Sequence, residues 1–73
     1  MEIIKIETEY IKFDQLLKFA NITENGADAK YLITNGYVYL NGEEETRRGK
    51  KIFPEDIVLI DFEGQRFELK VTK

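Results

Sequence analysis

Two hydrophobic patterns occupy the first third of the chain. Residues 2–8, EIIKIET, are rich in β-branched side chains and predict a strand. Beyond them, apolar side chains recur at the i, i+3, i+4 and i+7 positions of one helix face, at Phe13, Leu16, Leu17 and Ala20. This spacing predicts a helix over residues 12–20, which the polar stretch NITENG then ends.

A second helix is predicted by its end signals as well as by its apolar face. Asn25 is suited to the N-cap position, with Asp28 three residues further on in a weak form of the capping box. Asn35 and Gly36 accept the left-handed conformation that ends a helix. The buried face is predicted to hold Ala29, Leu32 and Ile33. The outward face is predicted to hold Ala27, Lys30, Tyr31 and Thr34.

From Tyr37 onwards the hydrophobic period changes to two, which is the period of a strand. Val38 and Leu40 alternate with Tyr37 and Tyr39, so the two tyrosines are predicted to lie on the exposed side of the strand. The dipeptide Asn-Gly follows at once, and both of its residues accept the positive φ of a type I′ turn. A hairpin is therefore predicted here.

The remainder of the chain predicts more strands. RRGKK indicates a loop or an irregular strand, and FPED predicts a turn with Pro54 at its first central position. IVLIDF, EG and RFELKV predict a closing hairpin. The predicted order is β-α-α-β-β-β-β in one domain, residues 1–73, and the predicted class is α+β with two helices packed on a small antiparallel sheet.

Composition narrows the chemistry that this chain can perform. Its 73 residues leave room for a compact core and no deep substrate cavity. The chain has neither cysteine nor histidine, which removes the usual zinc sites, the common nucleophiles and the commonest general base. General acid catalysis by a carboxyl needs burial or a like-charge pair in a cleft, whereas the carboxylates here fall at predicted turns and should be solvated. We therefore expect no enzyme activity, no metal and no cofactor.

The lengths of the apolar runs indicate where in the cell the protein is expected. The N-terminal residues contain early glutamates and no run of signal-peptide length, and no stretch approaches the roughly 18 apolar residues of a membrane span. We expect a cytoplasmic protein without membrane association.

Positive charge is concentrated in one segment of a chain whose net charge is −3. Arg47, Arg48, Lys50 and Lys51 occupy four of five successive positions just after Glu43, Glu44 and Glu45. One interpretation is a solvated loop whose arginines pair with these glutamates. The other is a phosphate-binding loop, in which Gly49 lets the backbone approach a ligand and arginine makes bidentate contacts. Tyr31, Tyr37 and Tyr39 would then offer rings on which unpaired RNA bases stack, although ordinary cross-strand packing is the simpler role for each.

The whole arrangement resembles the S4 RNA-binding domain over about residues 11–60. The family pattern R-L-D-x-x-L appears here as KFDQLL, and its A-R-x-L-I-x-x-G-x-V-x-V-N-G appears as AKYLITNGYVYLNG. The family's P-G-D-x-I appears as PEDIV. The chain is most similar to small, free-standing bacterial members of the YaaA type. The resemblance implies an S4-like fold with its αL motif, and binding of structured RNA through one basic face formed by the two helices and the hairpin.

The resemblance also suggests individual RNA-binding residues. Lys12 takes the place of the first-helix arginine, and Lys30 that of the second-helix arginine. Asn25 stands where the family has a capping serine, and Gly26 replaces the arginine that follows it. That departure shifts the expected phosphate contacts to the basic loop and leaves backbone N–H groups at the start of the second helix free to meet a phosphate. The loop residues implied in the basic strand region are Arg47, Arg48, Lys50 and Lys51.

The expected partner is RNA, namely ribosomal RNA or the ribosome, bound by a monomer. A protein-interaction domain that kept the fold without binding RNA is one alternative, and a DNA-binding accessory factor is another. A separate protein partner on the acidic face stays open, because the acidic excess lies away from the basic segment.

Overall fold

The computed structural model describes all residues, 1–73, and contains seven strands and two helices. In chain order they are β1 (Glu2–Lys5), β2 (Ile11–Lys12), α1 (Phe13–Phe19), α2 (Gly26–Thr34), β3 (Val38–Leu40), β4 (Glu43–Glu44), β5 (Lys51–Ile52), β6 (Ile57–Phe62) and β7 (Gln65–Thr72). The predicted α+β class is confirmed. The two-residue strands β2 and β5 are additions, because two residues are too few to show a period.

The strands form two sheets. Five of them lie in the order β1-β7-β6-β3-β4, and β2 pairs with β5 in a separate two-stranded ladder. Within the larger sheet β1 runs parallel to β7, whereas the other neighbours are antiparallel. The prediction of an antiparallel sheet is therefore right for four strands and wrong for β1. Periodicity identifies a strand but carries no information about its partner.

Turns follow the predicted chemistry. Asn41 and Gly42 have φ values of 51° and 89°, and Glu63 and Gly64 have 50° and 79°, as type I′ turns require. Pro54 occupies the first central position of its turn, which the hydrogen bond from Asp56 N to Phe53 O closes at 3.0 Å.

The helices begin and end close to the predicted residues. The Asn25 side chain accepts a hydrogen bond from Asp28 N at 2.9 Å, which confirms the cap of α2. Gly36 has a φ of 82° just beyond the end of α2. At α1 the N-cap residue is Lys12, and its side chain makes no capping hydrogen bond.

A single core joins both helices to one face of the larger sheet. The most deeply buried side chains come from every layer, and they are Phe13, Leu16, Leu17, Ala29, Ile33, Val38, Ile52, Val58, Ile60, Leu69 and Val71. The other sheet face lies towards solvent, because strand side chains alternate between faces. Ile52 also fixes the small β2–β5 ladder to the domain, since its side chain is fully buried.

Candidate nucleic-acid interface

The β2–β5 ladder places lysines from distant parts of the chain side by side. Its antiparallel register sets Ile11 opposite Ile52, and Lys12 opposite Lys51. Ile52 is buried and Ile11 packs against the core, so alternation turns both lysines to solvent. Like charges directly opposite each other destabilise a strand pair, which marks this position as one where an anion would relieve repulsion.

The basic loop is held against the start of α1 by its own backbone. Phe13 N donates a hydrogen bond to Lys50 O at 2.9 Å, and Asp14 N donates one to Arg48 O at 3.1 Å. These two N–H groups are among those that a helix leaves without partners in its first turn. The loop carbonyls thus cap α1 in place of a side chain. This docking fixes the loop backbone beside Lys12.

Arg47 differs from its neighbours because it is already paired. Its Nε lies 3.0 Å and its terminal nitrogen 3.2 Å from the two oxygens of Glu45, and its backbone N donates to the same carboxylate at 3.0 Å. The hydrogen bond from Arg47 is the largest influence on Glu45 and lowers the pKa of that carboxyl, although partial burial opposes the shift. The solvated-loop interpretation therefore holds for Arg47.

The other cations of the segment have no such partner. The ion pairs of the protein join Arg47 to Glu45, Arg66 to Asp61 and Lys70 to Glu55. No carboxylate lies within 4.0 Å of the remaining basic groups of this region, Lys12, Arg48, Lys50 and Lys51. We call these four residues the cationic surface.

Two aromatic side chains that the sequence analysis overlooked lie beside the cationic surface. Tyr10 and Phe53 extend the β2–β5 register by one residue, and their ring centroids are 5.9 Å apart with planes inclined by 48°. The Lys51 ammonium lies 4.7 Å from the centroid of the Tyr10 ring, which is a cation–π contact. Phe53 is 47% exposed. The missed signal was the pairing of Ile11 with Ile52, since this register alone brings Tyr10 to Phe53.

The tyrosines predicted as stacking residues lie elsewhere. Tyr31 is exposed on α2, as expected, but it packs with Tyr37 at 6.0 Å between centroids and with Phe62 at 6.2 Å. Tyr37 and Phe62 are 4.7 Å apart in an edge-to-face arrangement. We call these three residues the Tyr31 cluster. Repulsion between the neighbouring phenolates of Tyr31 and Tyr37 is the main reason that the pKa of Tyr37 is raised, and burial adds to it.

The predicted exposure of Tyr37 and Tyr39 needs correction, because both side chains are half-buried. Tyr39 pairs with Leu59 and Glu44 while its neighbour Val38 points into the core. Alternation therefore puts Tyr39 on the sheet face opposite the helices. It lines a hollow with Leu59 and Arg66 that contains none of the basic loop residues, and its contact with RNA stays a prediction.

The start of α2 has a side-chain cap at one N–H group, that of Asp28, and contact of the Gly26 and Ala27 N–H groups with a phosphate stays a prediction. Asn25 uses its side-chain oxygen for Asp28 N, and Gly26 is half-buried with open space around its Cα. Two carboxylates, those of Glu24 and Asp28, flank the same turn. Lys30 is exposed further along α2 and makes no ion pair. Contacts in the structure thus join the basic loop to α1, and not to α2.

Hollows on the surface are shallow and open. One of about 400 Å³ lies between Ile22, Asp28, Tyr31 and Phe62. No group of three or more histidine, cysteine, aspartate or glutamate side chains is arranged to hold a metal ion. Neither helix has the length and apolar character needed to cross a membrane.

The protein is a small α+β domain in which two helices pack on a mainly antiparallel sheet and a basic loop caps the first helix. A model of the S4 domain family matches residues 4–70. The chain therefore belongs to the S4 domain family, and the resemblance found in the sequence is confirmed.

Individual relatives agree with this assignment. A Bacillus subtilis (strain 168) protein named "Probable ribosome maturation protein RlbA" is 38% identical over 58 residues, covering 80% of this chain and 82% of that protein. Among solved structures, YbcJ from E. coli is similar, with a TM-score of 0.68 and 28% sequence identity. The similarity covers 100% of this chain and 89% of YbcJ, whose solution structure is described as revealing an αL motif involved in RNA binding.

Proposed function

We propose that this protein is a non-catalytic RNA-binding module that holds phosphates of structured ribosomal RNA on its cationic surface, in the cytoplasm. The observation that carries the proposal is the juxtaposition of Lys12 with Lys51 beside Arg48 and Lys50, with no carboxylate partner for any of them. A protein surface that keeps like charges together with no carboxylate within ion-pair distance is suited to a polyanion.

The relatives support the same reading. YbcJ carries a motif described as involved in RNA binding, and the Bacillus subtilis relative is named for ribosome maturation. Choosing RNA over DNA, and ribosomal RNA over other RNA, rests on these relatives. The choice of surface rests on the geometry of β2, β5 and the basic loop.

Specificity follows from the distribution of charge. The net charge is −3, so the molecule as a whole repels a polyanion and only the cationic surface attracts it. Binding should therefore be oriented, and random RNA should compete poorly. With about four phosphates neutralised, the slope of log K against log salt should be roughly −2 to −4.

The test compares two variants with equal loss of charge. In the first, the cationic surface is neutralised by Lys12→Gln, Arg48→Gln, Lys50→Gln and Lys51→Gln. In the matched control, four cations elsewhere are neutralised by Lys5→Gln, Lys18→Gln, Lys70→Gln and Lys73→Gln, of which only Lys70 makes an ion pair. Arg47 is left alone in both because Glu45 already neutralises it. Binding to purified ribosomal subunits is measured by co-sedimentation at several salt concentrations.

We expect the first variant to lose binding by a factor of about ten or more and to show a flatter salt dependence. The control should bind almost as tightly as wild type. Equal losses in both variants would mean that only overall charge matters, and unchanged binding by the first variant would refute the proposed surface. Lys30→Gln, measured alongside, tests whether α2 contributes a further phosphate contact.

A further inference from the structure

We propose that Phe53 is a stacking platform for an unpaired RNA base, with Tyr10 as the residue that positions Lys51 next to that base. This inference rests on the proposed function and adds to it a ligand class, namely RNA with at least one unstacked nucleotide. It concerns residues that neither the family resemblance nor the basic motif pointed to.

The first argument is the position of the rings. The pair of Ile11 and Ile52 is flanked on one side by Tyr10 opposite Phe53. On its other side Lys12 lies opposite Lys51. Side chains two apart on a strand share a face. The solvent-facing side of this short ladder therefore presents two rings next to two lysines, which is the combination that binds bases and phosphates together.

The second argument is that only one of the two rings has a face free for a base. One face of Tyr10 is covered by the Lys51 ammonium at 4.7 Å from the centroid, whereas Phe53 is 47% exposed. A base inserted between two rings needs parallel planes about 7 Å apart, twice the spacing of about 3.4 Å between stacked bases. The observed pair is 5.9 Å apart and inclined by 48°, so no base fits between the rings. The available surface is the outer face of Phe53.

The third argument is that Phe53 is held in place without being buried. Phe53 N donates a hydrogen bond to the Asp56 side chain at 2.8 Å, and Phe53 O accepts one from Asp56 N at 3.0 Å. The Asp56 carboxylate is itself bonded to the side chain of Asn41 at 3.0 Å. An exposed ring on a fixed backbone loses little conformational freedom when a base stacks on it, which favours binding.

The experiment uses two RNA probes that share one stem. The first is a hairpin closed by unpaired uridines, and the second is the same stem as a blunt duplex. Affinities of wild type, Phe53→Leu and Phe53→Trp are measured by fluorescence anisotropy of labelled RNA. Leucine keeps an apolar side chain but removes the aromatic face. Tryptophan keeps a platform and is the only tryptophan in the chain, so its quenching reports stacking directly.

We expect Phe53→Leu to lose about fivefold or more in affinity for the looped RNA, the low end of the range for base stacking, with little change for the duplex. Phe53→Trp should bind the looped RNA at least as well as wild type, and its fluorescence should be quenched by the loop and not by the duplex. Tyr10→Leu should weaken both probes modestly, because Lys51 is then less well placed.

Failure of this inference is distinguishable from failure of the proposed function. If Phe53→Leu binds the looped RNA as tightly as wild type, and Phe53→Trp is not quenched, the platform is refuted while the cationic surface stands. The exposed ring would then belong to a protein contact. If wild type binds neither probe better than the variant with a neutralised cationic surface does, the platform is refuted, whereas the proposed function fails only if that variant also binds ribosomal subunits as tightly as wild type does.

Discussion

Two aromatic clusters on the surface have similar side chains in opposite electrostatic surroundings. Tyr10 and Phe53 lie beside Lys51, whose ammonium covers one of the rings. The Tyr31 cluster adjoins carboxylates instead, since Glu24 and Asp28 line the same hollow as Tyr31 and Phe62. The ring of Tyr37 is enclosed by its two aromatic neighbours.

The difference shows why an aromatic residue alone does not indicate a nucleic-acid site. The rings of the Tyr31 cluster pack against one another and against the core, so their faces are not free for a base. Nearby carboxylates also repel phosphate. The Tyr10–Phe53 pair keeps one free face in a positive field. We therefore expect the first cluster to contribute mainly stability and the second mainly affinity for RNA.

The largest effect should come from Phe62→Ala. Phe62 is half-buried, packs against the core and lies 4.7 Å from Tyr37. Its truncation should lower the free energy of unfolding by about 2–3 kcal/mol, less than the 3–5 kcal/mol of a fully buried ring. RNA affinity at a temperature where the variant stays folded should be unchanged. Urea denaturation and anisotropy measure the two quantities.

Phe53→Ala should have the opposite pattern, with a small loss of stability and a clear loss of RNA affinity. It should cost less than about 1 kcal/mol of stability, because nearly half of the ring is already in solvent. It should nevertheless weaken binding to looped RNA. The comparison breaks down if Phe62→Ala weakens RNA binding in its folded state or if Phe53→Ala unfolds the protein.

Lys12→Glu should raise the stability of the protein while it lowers the affinity for RNA. The new carboxylate would face Lys51 across the ladder and would lie at the start of α1, where negative charge is favourable. We expect the free energy of unfolding to rise by about 0.5–1 kcal/mol at low salt. RNA affinity should fall about tenfold. Lys73→Glu, at an exposed lysine just beyond β7, is the control that should change neither quantity much. A less stable Lys12→Glu would show that the two lysines do not repel each other.

Glu45→Gln tests the contrast between paired Arg47 and unpaired Arg48. Removing the carboxylate frees the Arg47 guanidinium, so the salt dependence of RNA binding should steepen by about 0.7–0.9. An unchanged slope would mean that Arg47 cannot reach the RNA.

The same variant has a pH signature. Because Arg47 lowers the pKa of Glu45 in the folded state, the pair stabilises the protein above the ordinary carboxyl pKa of about 4.3, and this contribution is lost as pH falls through the lower folded value. Wild type should therefore exceed Glu45→Gln in stability near neutral pH, and the difference should vanish in acid. A difference that persists in acid would assign the loss to something other than the ion pair.

The smallest effect should come from Glu55→Gly. Glu55 has a φ of 81°, where the family pattern has glycine, and its carboxylate makes an exposed ion pair with Lys70 at 3.3 Å. Relief of backbone strain should slightly exceed the lost ion pair, for a net gain of about 0.5 kcal/mol. Glu55→Ala loses the pair and keeps the strain, so it should be the least stable of the three. RNA affinity should not change in either variant, because both leave the Phe53 ring in place.

The sequence predicted local structure well, whereas it indicated only some of the residues that form the proposed binding surface. The helix faces, the Asn25 cap and the type I′ turns depend on neighbouring residues, so periodicity and turn chemistry sufficed. The basic loop was found from charge alone. The Tyr10–Phe53 pair was missed because it depends on a two-residue ladder that joins distant segments. The pairing of Arg47 with Glu45 was one of two open interpretations, and only geometry could choose between them.

The parallel pairing of β1 with β7 has a consequence for how the chain reaches this structure during synthesis. Strand β7 is the neighbour of both β1 and β6, and its Leu69 and Val71 are fully buried. Until β7 has been translated, β1 has no sheet partner, and the core side chains Ile4 and Ile6 lack the neighbours that β7 supplies. Contacts between such distant segments also form slowly. The order of synthesis therefore lets β1 join the sheet only after β7 has been made, although both helices and the basic loop precede β7 in the chain.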